Sequence, residues 1–293
     1  IFIVKQFEIV KARGQFANNE NRLQSAAVNR VAEAAEAHRT ILVRCDAHSI
    51  YPPGYVMKVA DALRKSDAAS LVVPMDSVGV GCFQKANAWI VNTPLGSGGS
   101  AHRGGCSSGP VDHGHHAGFD LSWFKNVGGY DEAFSHNEDA EYDRRVTSRG
   151  GVVFLDADIR VTYSPRATVR ALARQYYKYG QGRAATVRKH RMRPKLRQIA
   201  PALHVVFLVA SLILAVVTPL ALVYPVFYVS VLIVASIQLA VSRRSVCGLL
   251  GGIAAATMHL AWGTGFLLGL LRRSKSGRRP LAVGTDKLNS LAD

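Results

Sequence analysis

Residues 205–242 contain no charged side chain, and this 38-residue run constrains the chain more than any other feature. As one continuous helix it would be about 57 Å long, nearly twice a hydrocarbon core of about 30 Å. Pro219 and Pro225 fall near its middle, where a reversal is needed, so the run reads as a helical hairpin over about 203–221 and 224–241. A third apolar run, Val246–Leu271, is long enough to span but is rich in glycine and interrupted by His259. The basic clusters 188–197, Arg243–Arg244 and 272–279 all favour the cytoplasmic side. A hairpin satisfies the first two; a full third crossing would put the last outside. The third run is therefore either re-entrant or interfacial, or an exception to the charge rule.

Charge divides the chain in the same place. Residues 1–158 carry 16 Lys and Arg against 18 Asp and Glu, whereas 159–285 carry 19 Lys and Arg and no acid. The formal charge of +16 thus comes from the C-terminal half. Basic residues flanking apolar runs suit anionic lipid head groups, so membrane lipids, and not nucleic acid, are the expected partner. With 293 residues and 48% hydrophobic side chains, the chain is neither a disordered tail nor a small stapled scaffold.

Cys45, Cys82, Cys106 and Cys247 show no metal or framework spacing and read as reduced thiols in a cytosolic setting. No secretory leader is visible, and the first residue is Ile1 in place of Met, which suggests a start other than the native one.

Before the membrane part, helical and strand patterns alternate. An Ala-rich helix is expected over about 22–38, a strand at 40–46, helices near 54–65 and 82–92, and a second strand at 69–75. The alternation indicates an α/β domain with a mostly parallel sheet, whose ligands sit at the carboxyl ends of strands. Asp46 stands at such an end. The Gly/Ser-rich stretch 96–109 lacks the Lys-Ser/Thr ending of a phosphate loop and reads as a mobile cover or a plain connection.

Four constellations could carry chemistry. Asp46 and His48 offer two donors at a strand end, suited to a divalent cation or, more simply, to a helix cap and a surface histidine. Glu138 and Asp139 open a helix, where the dipole favours carboxylates. Being adjacent, they diverge by about 100° and form no paired-carboxylate dyad. His113, His115 and His116 follow Asp112 and raise zinc; in a strand, His113 and His115 would share one face. Gln175, Lys178 and Tyr179 lie in a basic amphipathic helix that also suits a lipid surface.

Taken in order, Gln24-Ser-Ala-Ala-Val-Asn29, Leu42-Val-Arg-Cys-Asp46-Ala-His48, Pro52-Pro53-Gly54-Tyr55, Gly128-Gly129-Tyr130-Asp131, Asn137-Glu138-Asp139-Ala-Glu141 and Gln175-Tyr-Tyr-Lys-Tyr-Gly180 resemble bacterial family 2 glycosyltransferases of the GT-A type. The likeness runs from about residue 18 to 271. It implies a GT-A, Rossmann-like mixed sheet domain over 1–165 and a basic amphipathic juxtamembrane region over 166–200. Membrane helices over 201–271 and a basic polar tail over 272–293 follow.

The resemblance further implies inverting transfer of a hexose from a nucleotide sugar, a UDP-hexose by likeness, to a lipid-linked saccharide in exopolysaccharide biosynthesis. Asp46 and His48 occupy the slot that holds Mg²⁺ or Mn²⁺ on the nucleotide diphosphate. Asp139 matches the catalytic base, beside Glu138. Gln24 and Asn29 fall where the family lines its nucleotide site. Gln175, Lys178 and Tyr179 fall near a motif that contacts diphosphate and acceptor. The implied location is the cytoplasmic face of the bacterial inner membrane, with other exopolysaccharide-assembly proteins as possible partners.

Three departures accompany the likeness. His48 replaces an acid; Lys178-Tyr179 replaces the Arg-Trp of processive enzymes, favouring single-sugar transfer; and the family's first strands are missing, with nothing in 1–17 replacing them. The chain is accordingly expected to be N-terminally incomplete. Two alternatives stay open: a membrane-anchored zinc hydrolase using the histidine cluster with Asp46, and an inactive truncated membrane protein.

Overall fold

A computed structural model describes residues 2–5, 8–11, 23–35, 38, 40–46, 49–98 and 107–272. His48, Cys106, most of the Gly/Ser-rich stretch and the tail beyond Arg272 lie outside the described residues.

The first half runs β1 (Phe2–Lys5), β2 (Glu8–Lys11), α1 (Leu23–Glu33), β3 (Ile41–Val43), β4 (Ser49–Ile50), α2 (Tyr55–Ser66), β5 (Ser70–Val73), β6 (Met75–Ser77), α3 (Cys82–Ile90) and α4 (Pro94–Ser97). There follow β7 (Gly109–Pro110), β8 (His115–Asp120), α5 (Leu121–Asn126), α6 (Glu138–Ser148), β9 (Val153–Leu155) and β10 (Val161–Tyr163). The helical remainder is α7 (Val169–Lys189), α8 (Leu196–Leu214), α9 (Val223–Ser242) and α10 (Gly251–Leu271), with 3₁₀ turns at Pro219–Leu222 and Val246–Leu250.

The strands form where short β-branched runs can be buried on both faces: Ile41–Val43 and Leu71, Val72 and Val73 are shut from solvent. Seven strands make one sheet in the order β2-β1-β3-β8-β5-β9-β7, and β4-β10-β6 make a second. The expected parallel character is corrected here. In the large sheet only β5 and β9 pair in parallel, and β8 runs antiparallel between β3 and β5. Its sequence, His-His-Ala-Gly-Phe-Asp, has no β-branched residue; it is a strand because two buried strands flank it. β1 and β2 add an antiparallel edge pair beside β3, a contribution the sequence reading does not foresee.

Helices cover both faces. On one, α1, α5 and α6 pack Val28, Phe124 and Tyr142 around Phe119 and Leu42. On the other, α2 packs Val59 and Leu63 against Leu71, Val73 and Val161. Thr168 caps α7 by accepting from the Ala171 amide, and Asp120 caps α5 from the Trp123 amide.

Three helical segments are long and apolar enough to cross a membrane: Leu196–Leu214, Pro219–Ser242 and Val246–Leu271. The first starts earlier than the hairpin reading places it, because Pro201 is carried inside α8. They differ in what they present to lipid. The first two are 11% buried within the protein and the third 39%. The difference comes from glycine: a Cβ at Gly180 would stand 2.2 Å from the Trp262 carbonyl oxygen, and one at Gly265 2.1 Å from that of Tyr177. Backbones of α7 and α10 therefore touch, and the glycines that weaken the hydropathy of the third run are its docking surface.

The expectation of four unpaired thiols is corrected for two of them. Cys82 on α3 and Cys247 in the turn before α10 form a disulfide across 165 residues. Packing of α3 on that turn brings them together, which no sequence spacing reveals. Cys45 is free and half-buried.

Candidate active site

A cavity of about 740 Å³ opens between the sheet and the apolar helices. Its upper wall is built at the carboxyl end of β3, the start of β8 and the start of α6. Arg44, Asp46, His113, His115, Glu138 and Asp139 meet there. Its lower wall is α7, α8 and α10, through Gln175, Tyr179, Arg183, Pro201, His204, His259 and Trp262.

Asp46 is held, not merely exposed at a strand end. Arg44 Nε donates to its Oδ1 at 3.0 Å and Arg44 Nη2 to Oδ2 at 3.3 Å. Gln24 Nε2 donates to Oδ1 at 2.7 Å, and Tyr51 bonds the Asp46 backbone on both sides. Arg44 also donates from Nη1 to the Tyr130 hydroxyl at 3.1 Å and lies 3.9 Å from Glu138 Oε1. Burial works against the Arg44 charge, but Tyr130, Asp46 and Glu138 outweigh it and its pKa stands above the ordinary arginine value. Burial, reinforced by Asp139 next door, raises the Glu138 pKa.

Behind these residues a buried chain fixes orientation. Arg44 can only donate, so the Tyr130 oxygen accepts from it and its proton goes to His116 Nδ1 at 2.7 Å. His116 Nε2 then donates to Asp143 Oδ1 at 2.7 Å. Neither His116 nor Asp143 has an exposed side chain.

The histidine cluster is split by the pleat. His113 and His115 line the cavity, while His116 turns into the core. Burial, with Arg183 beside His113 and Arg44 beside His115, pushes both pKa values down to about 4, so both imidazoles are neutral near pH 7. His115 Nε2 lies 3.8 Å from Asp46 Oδ2. A neutral imidazole beside a carboxylate is a donor pair chemically fit for a divalent cation. Among the described residues, no three His, Cys, Asp or Glu side chains gather at metal-binding distance, so a zinc cluster of the expected kind is not formed there.

The other expected site residues separate into two groups. Gln24, Gln175 and Tyr179 line the cavity, and Gln175 Nε2 donates to the Tyr163 and Tyr179 hydroxyls at 3.2 and 2.9 Å. Asn29 is buried outside the lining and clamps the Gly-Gly-Tyr turn. Its Oδ1 accepts from the Tyr130 amide at 2.8 Å, and its Nδ2 donates to the Tyr130 carbonyl, also at 2.8 Å. Gly129, at φ +63°, leaves room for that clamp: a Cβ there would stand 2.5 Å from Asn29 Oδ1. Lys178 is exposed and outside the lining. Arg44, Tyr130 and Arg183 are residues of the site or its support to which sequence reasoning gives no role, and His115 is raised there only as a zinc ligand. For Arg44 a signal exists, since a charge inside Ile-Leu-Val-Arg-Cys demands a buried partner.

Residues 41–268 match the family described as "Glycosyl transferase family group 2". The chain belongs to that family. It is also 40% identical over 269 residues to the "Succinoglycan biosynthesis protein ExoA" of Rhizobium meliloti (strain 1021), covering 92% of this chain and 81% of that protein. The match to family group 2 takes in the β3 end, the Glu138-Asp139 corner, α7 and almost all of α10. The apolar helices are thus part of the matched family domain and not an appended anchor. Membership makes the chain a glycosyltransferase associated with a membrane, and replaces the hydrolase alternative. A glycosyltransferase needs a nucleotide-sugar donor and a saccharide acceptor.

Proposed function

We propose that this glycosyltransferase moves a hexose, with inversion, from a nucleotide sugar such as a UDP-hexose to a lipid-linked saccharide. It does so at the cytoplasmic face of a bacterial inner membrane, in assembly of a succinoglycan-like exopolysaccharide. The observation that carries the reading is the continuity of the cavity: Asp46 and Asp139 share it with Pro201, His204 and Trp262 of the apolar helices. A saccharide on a membrane lipid can reach the carboxylates through this route without leaving the bilayer surface. The relative's printed role in succinoglycan biosynthesis points to the same class of product.

Asp139 takes the proton from the acceptor hydroxyl as that oxygen bonds to the anomeric carbon. The bond from that carbon to the diphosphate oxygen breaks on the opposite side, and the electron pair leaves with the nucleoside diphosphate. Glu138 supports Arg44, which holds the Asp46 carboxylate in place. Asp46, with His115 and His48, would hold a Mg²⁺ or Mn²⁺ ion, which offsets charge on the departing diphosphate. Gln24 contributes to the donor side through Asp46, Asn29 sets the turn beneath it, and Gln175 and Tyr179 face the acceptor.

Transfer of label from a panel of nucleotide sugars into extractable membrane lipid, with and without Mn²⁺, tests the reading. Metal-dependent label in lipid from one donor supports it. Label appearing only in water-soluble sugar, or none from any donor, opposes it.

A further inference from the structure

The proposed mechanism leaves one buried charge without employment. Arg183, about four turns into α7, is 9% exposed and lines the cavity. Among the described residues no carboxylate comes within ion-pair distance of its guanidinium. Among those residues its guanidinium makes one hydrogen bond, from Nη2 to His113 Nε2 at 3.4 Å. The other buried arginine of the cavity, Arg44, is answered by Asp46. A guanidinium shut from water without an anion is costly, and here it faces an open chamber with most of its N–H groups unspent.

Position narrows the anion. Arg183 follows Gln175 and Tyr179 by eight and four residues, so all three lie on one stripe of α7. Arg197, at the start of α8, lines the same part of the cavity and is steadied by Asp112 at 3.8 Å. Beyond them the wall becomes Pro201, His204 and Trp262 on the apolar helices. In the transferase reading the donor's diphosphate is held at Asp46 and His115, where the bonded arginine is Arg44 and not Arg183. The planar fork of an arginine matches the paired oxygens of a phosphate.

We propose that Arg183, assisted by Arg197, seats the phosphate or diphosphate through which the acceptor saccharide is joined to its lipid. The site rests on the transferase reading above and specifies its acceptor as a phosphate-bearing lipid. Seating that phosphate on α7 places the lipid tail toward α8 and α10 and the sugar toward Asp139. Asp112 and Asp139 face the same guanidinium from outside ion-pair range and set its limit: a bound phosphate has to offer more than these distant acids do.

The test uses the full chain in lipid nanodiscs and three probes: farnesyl diphosphate, inorganic pyrophosphate and UDP. Wild type should bind farnesyl diphosphate, and Arg183→Ala should weaken that binding by about ten- to a hundredfold. UDP binding should be unchanged. Arg183→Lys, which keeps the charge and the fold but loses the fork, should fall between. Pyrophosphate should compete only weakly, since it lacks the tail. If Arg183→Ala and Arg183→Lys leave farnesyl diphosphate binding intact, or wild type does not bind it, the seat is wrong although the transferase reading survives on UDP binding. Equal losses for UDP and farnesyl diphosphate would make Arg183 a donor residue and overturn the assignment. Absence of UDP binding in wild type would instead remove the UDP-hexose donor from the transferase reading.

Discussion

His116 Nε2 lies 2.7 Å from Asp143 Oδ1 in the core, and the same imidazole reaches the Tyr130 hydroxyl through Nδ1. The pair ends a chain that runs through Tyr130 and Arg44 to Asp46. A strand (β8), a helix (α6) and a turn (Gly128-Gly129-Tyr130) are thereby keyed to the residue at the mouth of β3. The site's geometry is set from below, by groups that never touch substrate.

Asp143→Ala should break this key. Burial already raises the Asp143 pKa while His116 opposes the rise, and His116 is the nearest of its partners, ahead of the Ser70 hydroxyl. Its removal leaves an imidazole N–H buried without an acceptor, a loss of about 1–3 kcal/mol. Thermal unfolding of the purified protein should show a lowered Tm. An unchanged Tm would mean that the chain does not hold the site.

Gly265→Ala should part α7 from α10. The new Cβ would stand 2.1 Å from the Tyr177 carbonyl oxygen, a backbone atom that cannot move aside alone. Overpacking of this kind costs about 1–3 kcal/mol. Both Tm and transfer should fall, because these two helices form the lower wall of the cavity. Full activity and stability in the variant would place α10 away from α7, as an ordinary lipid-surrounded span.

Acid should weaken a second tie. Burial alone would raise the Glu141 pKa, but bonds from His190, Arg145 and Lys189 outweigh it and hold the value at about 2, against 4.5 for an ordinary glutamate. A depressed carboxylate contributes stability that is fully present above the unfolded value and is lost as pH falls through the folded one. The contribution is on the order of 3 kcal/mol. Wild type should therefore exceed Glu141→Gln in Tm at pH 6, with the gap closing between pH 4.5 and about 2. A gap that persists to the acid end would assign the effect to packing.

The sequence disclosed the parts of this molecule whose cause is local. An uncharged run must leave water, so the apolar helices were legible, although Pro201 shifted the start of α8. Buried β-branched triplets announced β3 and β5. The Asn137-Glu138-Asp139 corner announced the start of α6. What stayed hidden depends on partners distant in the chain. β8 is a strand only between β3 and β5. Asn29 is a clamp only because the Tyr130 turn lies over it, 101 residues away. Cys82 meets Cys247 only because α3 packs on the turn before α10. Arg183 stands out only in three dimensions, where no carboxylate among the described residues is at ion-pair distance. Adjacency in sequence also misled: His113, His115 and His116 suggested one metal cluster, and the strand pleat sends them to two sides of the sheet.

The most direct measurement compares wild type with Asp139→Asn in two assays, sugar transfer to membrane lipid and binding of UDP. The substitution removes the proposed base but leaves Asp46, His115 and the Arg44 chain in place. Transfer should fall by about 10²–10⁴-fold while UDP binding stays as in wild type. Full turnover in the variant would contradict the central claim and take Asp139 out of the mechanism.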